Sequence, residues 1–284
     1  MATSESWDEV EKGFRAKGYL AENIDQFRFH YRSVMADWFT VAEELNALGQ
    51  RFYMECADML PGRPTMDPVA LSLQMMPRCL SGYQGSLILA ERGLGTEAQV
   101  LVRGVMETAF WMGYLASDPS SAVPPLERET YRSEIGLYEA AQRHLQVSPE
   151  TMAELDRQLT DMKALCADLP KSPKVEELAS LSGYGPSYFF YKELSGVAAH
   201  LSIKSIHVFL SHNEAGEVVG HQIGPDDASV GKAVWIGCRS MILAIDALQR
   251  ITDRTHHNDE LSRLHERVDE LEPYAQGLSG TAAG

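Results

Sequence analysis

The chain has 284 residues, 44% hydrophobic and 23% charged, which is enough apolar material for a sizeable core and excludes extended disorder. Its 40 acidic against 25 basic side chains give a formal charge of −15, which opposes sequence-independent binding to nucleic-acid phosphates or anionic lipid. Cys56, Cys79, Cys166 and Cys238 show no C-x-x-C spacing, so neither a disulfide framework nor a zinc knuckle is legible, and a reducing, cytoplasmic setting is expected.

Met1 to Gly13 is acidic and polar and lacks the basic-then-apolar pattern of an export signal. After a short amphipathic piece at 7–17, Phe27, Tyr31, Val34, Trp38, Val41, Leu45 and Leu48 recur at helical spacing and predict one long segment over 22–60, ended by Pro61-Gly62-Arg63-Pro64. Asp67-Pro68 opens the next helix, which runs to Arg92 with a kink point at Pro77. Gly93 to Gly95 then turns the chain into a helix over 96–117. A Pro/Ser loop is expected at 118–125, with Pro125 opening a helix to Gln146. Ser148-Pro149-Glu150 supplies an N-cap, a first-position proline and an acidic first turn for a helix to Asp168, and Ser172-Pro173 repeats the device.

Gly185-Pro186 opens a segment over 187–210, and Asp226 or Asp227 caps a long helix to about His257. Between them, residues 208–223 read either as a small β-hairpin or as an ordered loop. The most apolar window, 233–248, is interrupted by Arg239 and Asp246 and falls short of a run of about 18 apolar residues, so no membrane span is expected. Leu261, Leu264, Val268 and Leu271 form a short stripe for packing on the chain's own core or for a dimer seam. These readings predict an all-α, single-domain helical bundle of about eight to ten helices over 1–284. Residues 1–20 are expected to be peripheral and 274–284 a flexible tail.

Polar residues on apolar helices carry what functional signal there is, because burying an unpaired charge costs several kcal/mol. Arg103 and Glu107 lie one turn apart among Val100, Val102, Val105, Met106 and Phe110, and are expected to pair inside the protein. They read as a buried structural pair or as an anion clamp in which Glu107 holds Arg103. Along 188–200, the small residues Ser195, Gly196, Ala198 and Ala199 let a neighbouring backbone approach and turn His200 toward an interior or a cleft. Glu193, His200 and His207 share a face, but steps of seven residues, about 10.5 Å each along a helix, are too long for one metal ion. His200 is therefore a hydrogen-bonded core histidine or a general base.

No dinucleotide-binding, phosphate-loop, nucleophile-elbow or H-E-x-x-H motif occurs. His256 and His257 read as closing a helix, where partial positive charge suits the dipole.

Gly95-Thr96-Glu97-Ala98, Leu101-Val102-Arg103-Gly104-Val105-Met106-Glu107 and Tyr191-x-x-Leu194-Ser195 with His200 resemble an uncharacterised bacterial family of helical proteins, a domain of unknown function loosely grouped with HEPN-type folds. The resemblance implies that the two helices face each other, with Arg103, Glu107, Tyr191, Ser195 and His200 in one site. HEPN ribonucleases carry an Arg, four to six residues, then a His. That pattern is absent upstream of His200, and Arg250 with His256 fits it at a rate that chance would give.

Three functions are consistent with these residues. The first is a non-enzymatic binding or accessory protein, in the stress or defence setting that the resemblance implies. The second is an enzyme with His200 as acid or base, Arg103 as anion clamp, and Tyr191 or Ser195 completing the polar wall. The third is a metal site of carboxylates and histidines converging from several helices. No cofactor is assigned. The expected partners are a second copy of the chain and a small molecule or protein; unaided binding to nucleic acid is not expected, nor is a membrane.

Overall fold

A computed structural model describes residues 7–196, 203–207 and 209–271. The whole of the expected tail at 274–284 and the first residues of the expected peripheral segment lie outside the described residues, and the part of that segment that is described carries mostly exposed side chains. The described residues form twelve α-helices and one two-stranded sheet. In order these are α1 (Trp7–Lys17), α2 (Asp25–Val34), α3 (Ala36–Cys56), α4 (Pro68–Ala90), α5 (Gly95–Ser117), α6 (Pro119–His144), α7 (Pro149–Ala167), α8 (Val175–Leu181), α9 (Tyr188–Leu194), α10 (Ile203–His207), β1 (Leu210–His212), β2 (Val218–His221), α11 (Asp227–Thr252) and α12 (Asn258–Glu270).

The helix starts follow the capping logic of the sequence. The Asp67 carboxylate accepts from the Val69 and Ala70 N–H groups with Pro68 in the first turn, Ser148 accepts from Thr151, and Asp226 accepts from Ser229. Gly93, at φ +84°, turns α4 into α5 in a conformation that a side chain would resist. α5 and α11 pack along each other at the centre, and α4 and α3 complete the layer around them. One hydrophobic cluster runs from Tyr31 to Val268 through Phe39, Phe52, Tyr83, Phe110 and Met241. α6 and α7 pair with each other to one side and bury few of their own residues.

Several boundaries differ from the sequence reading, which explains why twelve helices stand where eight to ten were expected. The segment over 22–60 breaks at Met35 (φ −119°, ψ 34°), and this bend accompanies a Tyr31 side chain that donates to Asp227 Oδ1 at 2.9 Å, at the start of α11. α6 begins at Pro119 rather than Pro125, because Asp118 caps it by accepting from Ser121 N–H. Pro124 and Pro125 lie inside the helix. Each removes one N–H, and the carbonyls they leave belong to exposed Ser120 and Ser121, where water serves instead. Ser172 does not cap α8; its hydroxyl donates to the Pro125 carbonyl at 2.9 Å, and the helix starts at Val175. Within the segment over 187–210, the described residues include α9 and α10, and Leu210 already belongs to β1.

α11 ends at Thr252, with Asp253 in the left-handed conformation at φ 53°. His256 and His257 consequently stand in a turn and not at the end of a helix. α11 is long and apolar enough to cross a membrane by length and composition, contrary to the reading of 233–248, but 72% of its most apolar window is buried inside the protein. The stretch over 208–223 forms the hairpin, pairing Leu210 with His221 and Ser211 with Gly220, and the Asn213 side chain accepts from Ala215 and Glu217 in the turn. Leu261, Leu264 and Val268 are buried as α12 packs on α3 and α11.

Candidate functional site

Arg103 and Glu107 stand on α5 where α9 crosses it, and the residue that joins them is Tyr191. Arg103 Nη2 donates to the Tyr191 hydroxyl at 2.5 Å, and that hydroxyl donates to Glu107 Oε2 at 3.1 Å. Arg103 Nε donates to Ser195 Oγ at 3.0 Å, and Ser195 in turn donates to the Tyr191 carbonyl at 2.9 Å. The guanidinium carbon also lies 4.8 Å from the centre of the Tyr191 ring, a cation–π distance. Tyr188 stacks on Tyr191 at 6.1 Å. The guanidinium is therefore held through two of its nitrogens and one face.

The expected burial of the Arg103–Glu107 pair is not what the structure has. Their direct separation is 3.8 Å, and the side chains keep 28% and 38% of their exposure. The pair lies at the edge of the core because the far wall is α9, a short helix that covers only part of the α5 stripe. Beyond Arg103 opens a cleft of about 420 Å³, walled by α5, α8 and α9, whose lining includes Tyr188, Lys174, Lys192 and Glu176.

Tyr191 is itself buried, and burial followed by the Glu107 charge pushes its phenol pKa above the ordinary value. Its proton stays on the oxygen at neutral pH, so the group accepts from Arg103 and donates to Glu107.

Four of the five sequence candidates, Arg103, Glu107, Tyr191 and Ser195, thus meet in one place; His200 falls outside the described residues. Glu193 pairs with Lys232 of α11, whereas His207 packs against His212 at 5.5 Å, so these two do not converge. Arg250 and His256 also part company. Arg250 donates to Ser117, Ser182 and Tyr184, while His256 meets Glu55 at the end of α3. Lys174, Lys192 and Tyr188 were not singled out from the sequence, since a lysine or tyrosine in a polar stretch reads as ordinary surface.

No curated protein and no solved structure matches the chain. A family model matches residues 69–218, more than half of the chain, and the matched stretch includes α4 from its second residue, all of α5 and every described residue of the cleft named above. The chain belongs to that family, DUF5677, a family of unknown function.

Proposed function

We propose that the protein is a binding or accessory protein that holds a small anionic group, a phosphate or a carboxylate, in the cleft between α5, α8 and α9. The supporting observation is Arg103, whose guanidinium is fixed by Tyr191 and Ser195 yet faces a cleft that Lys174 and Lys192 also line. A pre-oriented guanidinium loses little side-chain freedom when an anion arrives, and its planar fork suits a two-oxygen contact. Among the charged side chains that line the cleft, Arg103, Lys174 and Lys192 outnumber Glu176, a local excess of cations on a chain whose net charge is −15.

A binding role fits better than acid–base catalysis, because Tyr191, the central polar group, is held protonated and engaged on both sides. The enzymatic reading rests on His200 as acid or base, with the same Arg103 clamp. Four buried, unpaired cysteines support a reducing, cytoplasmic setting. A stress or defence role, the HEPN-type grouping and a homodimer belong to this reading as proposals. The acidic balance and the separate engagements of Arg250 and His256 direct it away from RNA cleavage.

The test is thermal melting and calorimetry with inorganic phosphate, pyrophosphate, nucleotides and dicarboxylates, on wild type, Arg103→Ala and Tyr191→Phe. The expected result is an anion that raises the wild-type midpoint and has at least tenfold weaker affinity for a folded Arg103→Ala variant. Equal responses in both proteins, or none from any anion, would overturn the proposal. Turnover of the bound anion by wild type, abolished in a folded His200→Ala variant, would establish the enzymatic reading instead.

A further inference from the structure

Away from the cleft, the end of α3 and the turn between α11 and α12 bring Glu55, His256 and His257 together, with their donor atoms all within 4.8 Å of one another. Glu55 Oε2 lies 2.8 Å from His256 Nε2 and 2.9 Å from His257 Nε2. We propose that these three side chains form a binding site for one divalent first-row transition-metal ion such as Zn²⁺, with solvent completing its coordination. Two imidazoles and a carboxylate form a donor set that suits such ions, and neutral imidazole is their commonest nitrogen ligand.

The three groups are held in place by their surroundings. Arg254 donates to the Glu55 carbonyl and, at 3.1 Å, to Asp58, which fastens the turn onto the end of α3. Buried Phe52 lies edge-on to both imidazoles, with ring centres 6.0 Å from His256 and 5.5 Å from His257. The two imidazoles are themselves 4.2 Å apart, so both present Nε2 to the same oxygen.

Metal bonds of about 2.0–2.2 Å place tetrahedral donors about 3.3 Å apart, so the Glu55 oxygen moves outward by about half an ångström and the two Nε2 atoms, now within 4.8 Å of each other, adjust to the same spacing when an ion enters. That movement is open to it, since Glu55 and His256 keep 36% and 54% of their side-chain exposure while His257 keeps 12%.

A second layer is also present. His257 Nδ1 lies 3.7 Å from Glu260 Oε2, beyond hydrogen-bond distance, and Glu260 is itself held by Arg51 at 2.6 Å, so a carboxylate stands close enough to orient the ring after a small shift. With neutral imidazoles, Glu55, Asp58 and Glu260 outweigh Arg51 and Arg254, so the local charge favours a cation.

The experiment uses the full chain without a histidine tag, stripped with chelator and titrated with Zn²⁺ by calorimetry and equilibrium dialysis, and with Co²⁺ by visible absorption. The expected result is one ion per chain, with affinity at least tenfold lower in His256→Ala and Glu55→Gln and unchanged in His265→Ala. Exposed His256 and Glu55 can be replaced without opening the core, so the test does not depend on the more buried His257. No stoichiometric binding, or binding that survives both substitutions, would overturn the proposal.

Discussion

Gly95 sits directly against Ser229, where α5 and α11 begin their long contact: a Cβ on Gly95 would stand 2.5 Å from the Ser229 carbonyl carbon and 2.7 Å from its Cβ. Backbone cannot yield as a flexible side chain does. Gly95→Ala is expected to destabilise the protein by about 1–3 kcal/mol, in the range of overpacked cores. Gly104, on the same helix, has nothing within 4 Å of its would-be Cβ, and Gly104→Ala is expected to gain about 0.5–1 kcal/mol of helix stability. Urea denaturation of the two variants tests the difference in sign.

Glu91 is a buried carboxylate with three arginines on it. Its side chain keeps 6% of its exposure and lies 3.1 Å from Arg28, 2.8 Å from Arg32 and 2.9 Å from Arg92. Glu91→Ala removes the common partner but leaves arginines that can turn to solvent, and is expected to cost about 1.5–3 kcal/mol, whereas Arg28→Ala leaves two arginines in place and should cost under about 1 kcal/mol. Comparable losses in the two variants by denaturant titration would contradict this account.

Asp67 links the start of α4 to pH. Burial pulls its carboxyl pKa up, but the Ala70 N–H and the Arg63 guanidinium outweigh that and hold it below the ordinary value. A depressed folded pKa means that the stabilisation is complete above the unfolded value and is lost as pH falls through the folded one. Asp67→Ala is therefore expected to cost about 1 kcal/mol at neutral pH, a gap to wild type that closes below about pH 4. Melting both proteins from pH 7 down to pH 3 measures it.

Cys79 and Cys238 are fully buried, and burial pushes both thiols up to about 12. Alkylation requires thiolate, so a raised pKa and the lack of access act together. Neither cysteine should react with iodoacetamide at pH 8 in the native protein, and both should react in guanidinium chloride. Mass spectrometry after timed labelling reads this directly, and rapid native labelling of either would mean that the α4–α11 core opens.

Much of the helical order was legible because its signals are local. Asp67-Pro68, Ser148-Pro149 and Asp226 cap the helices they were expected to cap, since a cap needs only a side chain and the N–H groups two or three residues on. Where several Pro-containing starts competed, the sequence did not discriminate. Asp118-Pro119 opened α6 in place of Pro125, and Ser172 bonded to the Pro125 carbonyl 47 residues away instead of capping α8.

The candidate site divides in the same way. Arg103, Glu107, Tyr191 and Ser195 stood out as polar groups on helices that otherwise bury apolar side chains. Lys174 and Lys192, which help make the cleft cationic, gave no such signal. The doublet His256-His257 was visible, but Glu55 lies about 200 residues away along the chain and nothing local connects them.

By itself, then, the sequence determined the helical class, most helix starts and the polar stripe of α5, all of which depend on neighbours within a turn or two. Only the tertiary structure decided that Tyr191 stands between Arg103 and Glu107, that the pair faces a cleft, and that Glu55 meets two histidines. Those outcomes depend on how far α9 covers α5 and on where the turn after α11 lands on α3. Both are settled by the packing of remote helices, a sum of many small contacts that leaves no local pattern to read.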